Sequence, residues 1–144
     1  MAGLPARVGG ALVLDAEGVV KLASGDLRTR QWFEAARTRR SEVVTAASTL
    51  AEILRGGARD ATLYRVLNRI TVVPVGKDHG RAAGELLGRT GLDGHRCAID
   101  ALLAAVALRQ PRPVVLLTSD PVDLAKLTEE PGRPMGERVA VIRV

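Results

Sequence analysis

Four carboxylates occupy places where an acid is hard to explain as surface decoration. Asp15 closes the apolar run 11-ALVL-14, and Asp120 comes two residues after the run 114-VVLLT-118. Glu52 stands in the helical stretch 50-LAEIL-54, and Asp100 is the one polar residue in 97-CAIDALLAAVAL-108. An ionised Asp buried without a partner costs more than one helix can return, so Asp100 must be protonated, paired or bound to a cation. Acids that converge from four segments repel unless something positive lies among them. An all-oxygen donor set suits a hard divalent cation such as Mg²⁺ or Mn²⁺.

Each acid also has a purely structural use. In 118-TSDPVDL-124, Asp120 before Pro121 reads as a helix N-cap, and Asp123 falls in the first turn, where negative charge favours the helix dipole. The stretch 49-TLAE-52 fits a capping box of Thr49 with Glu52, and Asp15 suits a turn after a strand. Asp100 has Arg96 one turn earlier, but in the weaker order of cation before anion, and exposed pairs contribute under about 1 kcal/mol. That is too little to account for the placement, so the preferred reading turns Asp100 toward the other three acids. His95 reads as a surface residue at a helix start, His79 has no ligand-spaced partner, and the lone Cys97 reads as a small buried hydrophobe.

The elements that must position these acids alternate along the chain. Strands are expected at Ala11 to Leu14, Glu42 to Ala46, Ile70 to Val75, Val114 to Thr118 and Val139 to Ile142, with Pro74 marking a sheet edge or strand end. Between them, helical spacing runs over 16–23, from a cap at Asp26 to about Arg39, and through Leu50, Ile53 and Leu54 to a stop at Gly56-Gly57. It resumes from Asp60 to about Arg69, over 77–89, over 95–110 and over 120–129. Continuous apolar strands alternating with helices indicate a three-layer α/β/α fold around a mainly parallel sheet of about four to five strands. Sites in such sheets form beyond the carboxyl ends of the strands, where Asp15 and Asp120 both point.

The 144 residues suit one domain over 11–144, preceded by a flexible extension over 1–10. No run is long enough to span a membrane, and Met1 to Gly10 lacks the apolar core of a secretory signal, so a cytoplasmic protein is expected. The formal charge is +5, and Arg28 to Arg69 carries all of it, with nine Arg against Glu34, Glu42, Glu52 and Asp60. A basic segment of this kind matches a nucleic-acid backbone, an acidic partner or a solvated helix surface. Trp32, Phe33 and Tyr64 are too few for a base-stacking platform. Neither a P-loop nor a dinucleotide-binding glycine motif is present.

The order 12-LVLDA-16, 50-LAEIL-54, 99-IDALLAAVA-107 and 116-LLTSDPVDL-124 resembles the PIN domain, and the chain's size and Ala-rich third motif resemble the VapC-type toxins of bacterial toxin-antitoxin pairs. The resemblance covers nearly the whole of Ala11 to Val144. It implies a Mg²⁺-dependent ribonuclease, with Mn²⁺ able to substitute, that cleaves in line to leave a 5′-phosphate and a 3′-hydroxyl. Carried over by position, Asp15, Glu52, Asp100 and Asp120 form the catalytic quartet. Asp15, Asp100 and Asp120 are the metal ligands, and Glu52 and Asp123 are further candidates. The chain departs from the family pattern at Glu17, where many relatives place a small hydroxyl or amide residue. Implied partners are an RNA substrate, a cognate antitoxin that blocks the site, and a second copy in a homodimer. Arg28, Arg30, Arg55 and Arg96 are candidate RNA contacts, and the wider set including Arg37, Arg39, Arg40 and Arg69 is expected beside the acids.

Two rival classes stay open on the sequence. One is a catalytically silent PIN-like module that holds RNA or protein without cutting. The other is a phosphoryl-transfer domain with Asp15 as phosphoacceptor, which wants a lysine after a late strand where this chain has Lys126 on a helix.

Overall fold

The computed structural model describes residues 9–144. Five strands, β1 (Ala11–Leu14), β2 (Glu42–Ala46), β3 (Thr71–Val73), β4 (Val114–Thr118) and β5 (Ala140–Arg143), form one sheet in the order β3-β2-β1-β4-β5 with every pairing parallel. The helices are α1 (Ala16–Ser24), α2 (Leu27–Thr38), α3 (Leu50–Ile53), α4 (Ala61–Leu67), α5 (Lys77–Thr90), α6 (Gly94–Leu108) and α7 (Pro121–Leu127). β1 is the centre because its four residues are apolar throughout and fully covered on both faces.

One face of the sheet packs Val13, Val44, Ala46, Val114 and Leu116 against Ala101, Leu103, Ala104, Val106 and Ala107 of α6 and Leu124 and Leu127 of α7. The other packs Leu12, Leu14, Val43 and Leu117 against Val19, Phe33, Ala36, Val66 and Leu67. The alanines of α6 let its backbone approach the sheet closely. That is how an apolar helix brings Asp100 to the rim. The chain turns one way from β1 to β2 and β3 and the other way to β4 and β5, so the reversal falls between β1 and β4. In open parallel sheets this switch point is where a crevice forms.

Several local expectations change. The helix through Leu50 to Leu54 is a single turn preceded by a tight 3-10 turn, Ala47–Thr49. Thr49 makes no cap bond, so the capping box with Glu52 does not form, and the Thr49 hydroxyl is buried without a partner. Asp60 does not cap α4 with its side chain. Buried to 4% exposure, it accepts hydrogen bonds from the Arg55 (3.0 Å) and Gly56 (2.7 Å) amides instead, closing the loop after α3. Asp93 caps α6 through the His95 amide at 2.7 Å, and His79 accepts from the Gly76 amide at the start of α5.

Of the extension expected over 1–10, residues 1–8 lie outside the described residues. Gly9 and Gly10 are tied to the sheet: the Gly9 carbonyl accepts from Ser41 Oγ (2.8 Å) and the Gly10 carbonyl from the Glu42 amide (3.1 Å). Gly10 has φ +79°, and a Cβ there would stand 2.6 Å from the Pro113 carbonyl, so only glycine fits. Among the described residues, no helix is long and apolar enough to cross a membrane.

Candidate active site

Asp15 sits at the end of β1 as the N-cap of α1, its Oδ1 accepting from the Gly18 amide at 2.7 Å. Gly18 is buried under this carboxylate, and a Cβ there would lie 3.3 Å from the Leu117 carbonyl and 3.5 Å from Asp15 Oδ1. Burial pushes the Asp15 carboxyl up, against the Thr118 hydroxyl and the Gly18 amide, which favour the ionised form. The exposed Glu17 adds a smaller repulsion. Asp120 leaves β4 across the switch point, before Pro121. Its side chain makes no cap bond, while its amide donates to Thr118 Oγ1 at 3.0 Å. The capping explanation for Asp120 therefore fails, and its carboxylate is exposed at the rim.

Glu52 reaches the same rim from α3. Partial burial, followed by the charge of Asp15, pushes its carboxyl up. Asp100 is half-buried on α6, which packs on β2 and on the turn leading to Glu52. Its carboxyl is pushed up to about 6, first by burial and then by the charges of Glu52, Asp15, Asp123 and Asp120. Asp100 thus feels the charges of the other three candidate acids, and Glu52 that of Asp15.

Asp123 has a partner. Its Oδ2 takes Arg96 Nη1 at 3.0 Å and lies 3.7 Å from Cys97 Sγ. The Arg96–Asp100 pair considered from the sequence does not form, because Arg96 leans across to α7 rather than along its own helix. Among the described residues, Asp100 is left without a cation. Cys97 is buried, and burial pushes its thiol up, as expected of a structural residue.

The remaining candidate contacts divide. Arg28 and Arg30 are exposed on α2. The Arg55 guanidinium turns back on α3, donating to the carbonyls of Ala51, Glu52 and Leu54. Arg37, Arg39, Arg40 and Arg69 do not lie beside the acids. They precede β2 and β3, at the amino edge of the sheet, the edge away from Asp15 and Asp120. The apolar pocket bounded by Leu12, Trp32, Pro113 and Val115 also opens there, away from the chemistry.

Among the described residues, no three His, Cys, Asp or Glu side chains are gathered at metal-ligand separation. The donor set nonetheless fits a hard cation, being all carboxylate and mutually repelling, with neither thiol nor imidazole in it. Mg²⁺ keeps several waters and takes few protein ligands, so it does not require a closed cage.

The PIN domain family model matches residues 12–128. No curated protein matches by sequence. Among solved structures, the chain is similar to VapBC2 from Rickettsia felis bound to a DNA fragment from their promoter, with a TM-score of 0.67 at 15% identity over 93% of this chain and 98% of that one. It is similar to a toxin-antitoxin complex from Klebsiella pneumoniae, with a TM-score of 0.60 at 20% identity over 79% and 90%. It is also similar to FitAcB from Neisseria gonorrhoeae, with a TM-score of 0.60 at 17% identity over 91% and 96%.

Proposed function

The chain belongs to the PIN-domain family, and from that premise we propose that it is a Mg²⁺-dependent ribonuclease, the toxin of a VapC-type toxin-antitoxin pair. Its catalytic acids are Asp15, Glu52, Asp100 and Asp120. The observation that carries this reading is the state of Asp100, half-buried, without a cation among the described residues and opposed by four other carboxylates from the ends of β1 and β4 and from α3 and α7. A stabilising fold has no use for such a group. The likeness to toxin-antitoxin complexes supports the biological setting.

Asp15, Asp100 and Asp120 would hold Mg²⁺, or Mn²⁺ in its place, with Glu52 beside them. When bound, the cation supplies a water of lowered pKa and neutralises charge developing on the phosphate and the leaving oxygen. The Gly18 amide fixes the direction of Asp15, and α6 fixes Asp100 against the sheet. Glu52, on the open side, orients the attacking water and accepts its proton at the carboxylate. Asp123 is committed to Arg96, so its part is to set that guanidinium at the rim rather than to bind metal. The unneutralised acids also suit an antitoxin that places a basic side chain among them, and a homodimer is the expected assembly.

The alternative, a silent module, draws on the absence of a preformed ligand set among the described residues. Incubation with single-stranded and structured RNA in Mg²⁺ or Mn²⁺ separates the two. Wild type is expected to cut, giving 5′-phosphate ends, and Asp100→Asn to be at least about a hundredfold slower, the scale of losing one electrostatic stabiliser. Equal cleavage by both, or none by either on any RNA, would count against the proposal.

A further inference from the structure

We infer that the amino edge of the sheet carries a second RNA-contacting surface, built from Arg37, Arg39, Arg40 and Arg69, which grips backbone phosphates of a folded RNA whose scissile strand lies at the acids on the opposite edge. The inference rests on the ribonuclease reading and adds the class of substrate to it.

Phe33 is buried under two guanidiniums. Arg37 lies 5.7 Å and Arg69 4.9 Å from its ring centroid. Stacking fixes both forks at low entropic cost, although they come from α2 and from the turn after α4. Arg37 and Arg69 both line a shallow groove that also contains Ser41, Glu42 and Thr71. Arg39 and Arg40 immediately precede Ser41 of the groove in the chain; Arg39 borders the neighbouring apolar pocket, and Arg40 takes φ +58°.

All four arginines are exposed, and among the described residues none is in an ion pair. The acids nearby are Glu34, exposed on α2, and Glu42, whose Oε2 accepts from Thr71 Oγ1 at 3.3 Å. They leave the edge positive. The apolar pocket of Leu12, Trp32, Pro113 and Val115 adjoins the patch at Arg39 and Ser41, but the groove between the guanidiniums holds none of the exposed large apolar residues Val20, Leu27, Tyr64, Val122 and Met135 that the centre of a protein interface would want. Phosphate needs no such centre, and Arg forks match it bidentately. With Phe33 covered, nothing in the groove stacks on a base, so the contact is to backbone without sequence readout.

β2 separates this edge from the acids, and its four residue steps span roughly 13 Å. That exceeds the Debye length of about 8 Å at physiological ionic strength, so the arginines do not tune the carboxylates. They hold RNA, and only RNA large enough to reach both edges.

The test uses the full chain. Fluorescence anisotropy in the non-cleaving Asp100→Asn background compares a labelled structured RNA with a labelled pentanucleotide across a salt series, with and without R37Q/R39Q/R40Q/R69Q. The expected result is a rise of about tenfold or more in Kd for the structured RNA, a fall of about 3 in its salt slope, and no change for the pentanucleotide. In the cleaving chain, KM for structured RNA rises while kcat holds. R39Q/R40Q, which leaves the stack on Phe33 intact, is expected to show about half the slope change if the quadruple variant misfolds. Equal effects on both RNAs, or none on either, would overturn the inference. So would a patch-dependent grip on polyglutamate with RNA binding unaltered, which would assign the edge to an acidic protein. If wild type cuts no RNA, the ribonuclease reading fails, and anisotropy still reports the patch independently.

Discussion

Asp100 keeps its proton to about pH 6, because burial and the charges of Glu52, Asp15, Asp123 and Asp120 all oppose ionisation. Its carboxyl binds the proton more tightly folded than unfolded, so its contribution to stability is complete below about pH 4 and lost as pH rises through about 6. Without divalent cation, the unfolding free energy is expected to fall by about 1–2 kcal/mol over that window, allowing for solvent at a half-exposed group. Asp100→Asn should flatten this slope and leave the protein equally or more stable at pH 7, as urea titrations at several pH values will show. A loss of several kcal/mol in the variant would contradict it. Asp100 was legible in the sequence because a lone acid in an apolar helix stands out. Its missing partner was not, because Arg96 finds Asp123 across 27 residues and two helices, which no local spacing reports.

The single turn of α3 presents Glu52, and what holds that turn is Asp60. With its acceptors spent on the Arg55 and Gly56 amides, Asp60 fastens the chain just beyond the helix that carries the acid. Asp60→Ala removes a buried carboxylate that ties the Arg55 and Gly56 amides of an otherwise exposed loop, and is expected to cost about 1 kcal/mol. Cleavage should also weaken, although Asp60 touches no substrate. Thermal melts together with RNA cleavage check both, and full activity in a destabilised variant would show that the loop does not position Glu52. The strands were legible as apolar β-branched runs, and the longer helices from their spacing and caps. The start of a helix at Asp60 was legible, but the partners of its carboxylate were not, because whether it bonds forward or back depends on the Gly56-Gly57 loop folding beneath it.

For the molecule as a whole, the sheet separates two charge regimes, carboxylates at one edge and arginines at the other. Composition located the basic third of the chain but not the edge it lies on, since that follows from strand order. Divalent cation should therefore act on only one end. At pH 7.5, Mg²⁺ at a hundredfold its Kd is expected to raise the unfolding free energy by about 2.7 kcal/mol. The gain should shrink at pH 5, where a proton already occupies Asp100, and vanish in Asp100→Asn. Melting curves indifferent to Mg²⁺ at both pH values would count against the metal site. The strand order has one more effect. β1 is made first, yet Leu14 takes its place only beside Leu117 of β4. On the ribosome, Asp15 and Glu52 therefore emerge long before Asp100 and Asp120 can join them, and no half-made chain holds the acids together near the RNA of the machine producing it.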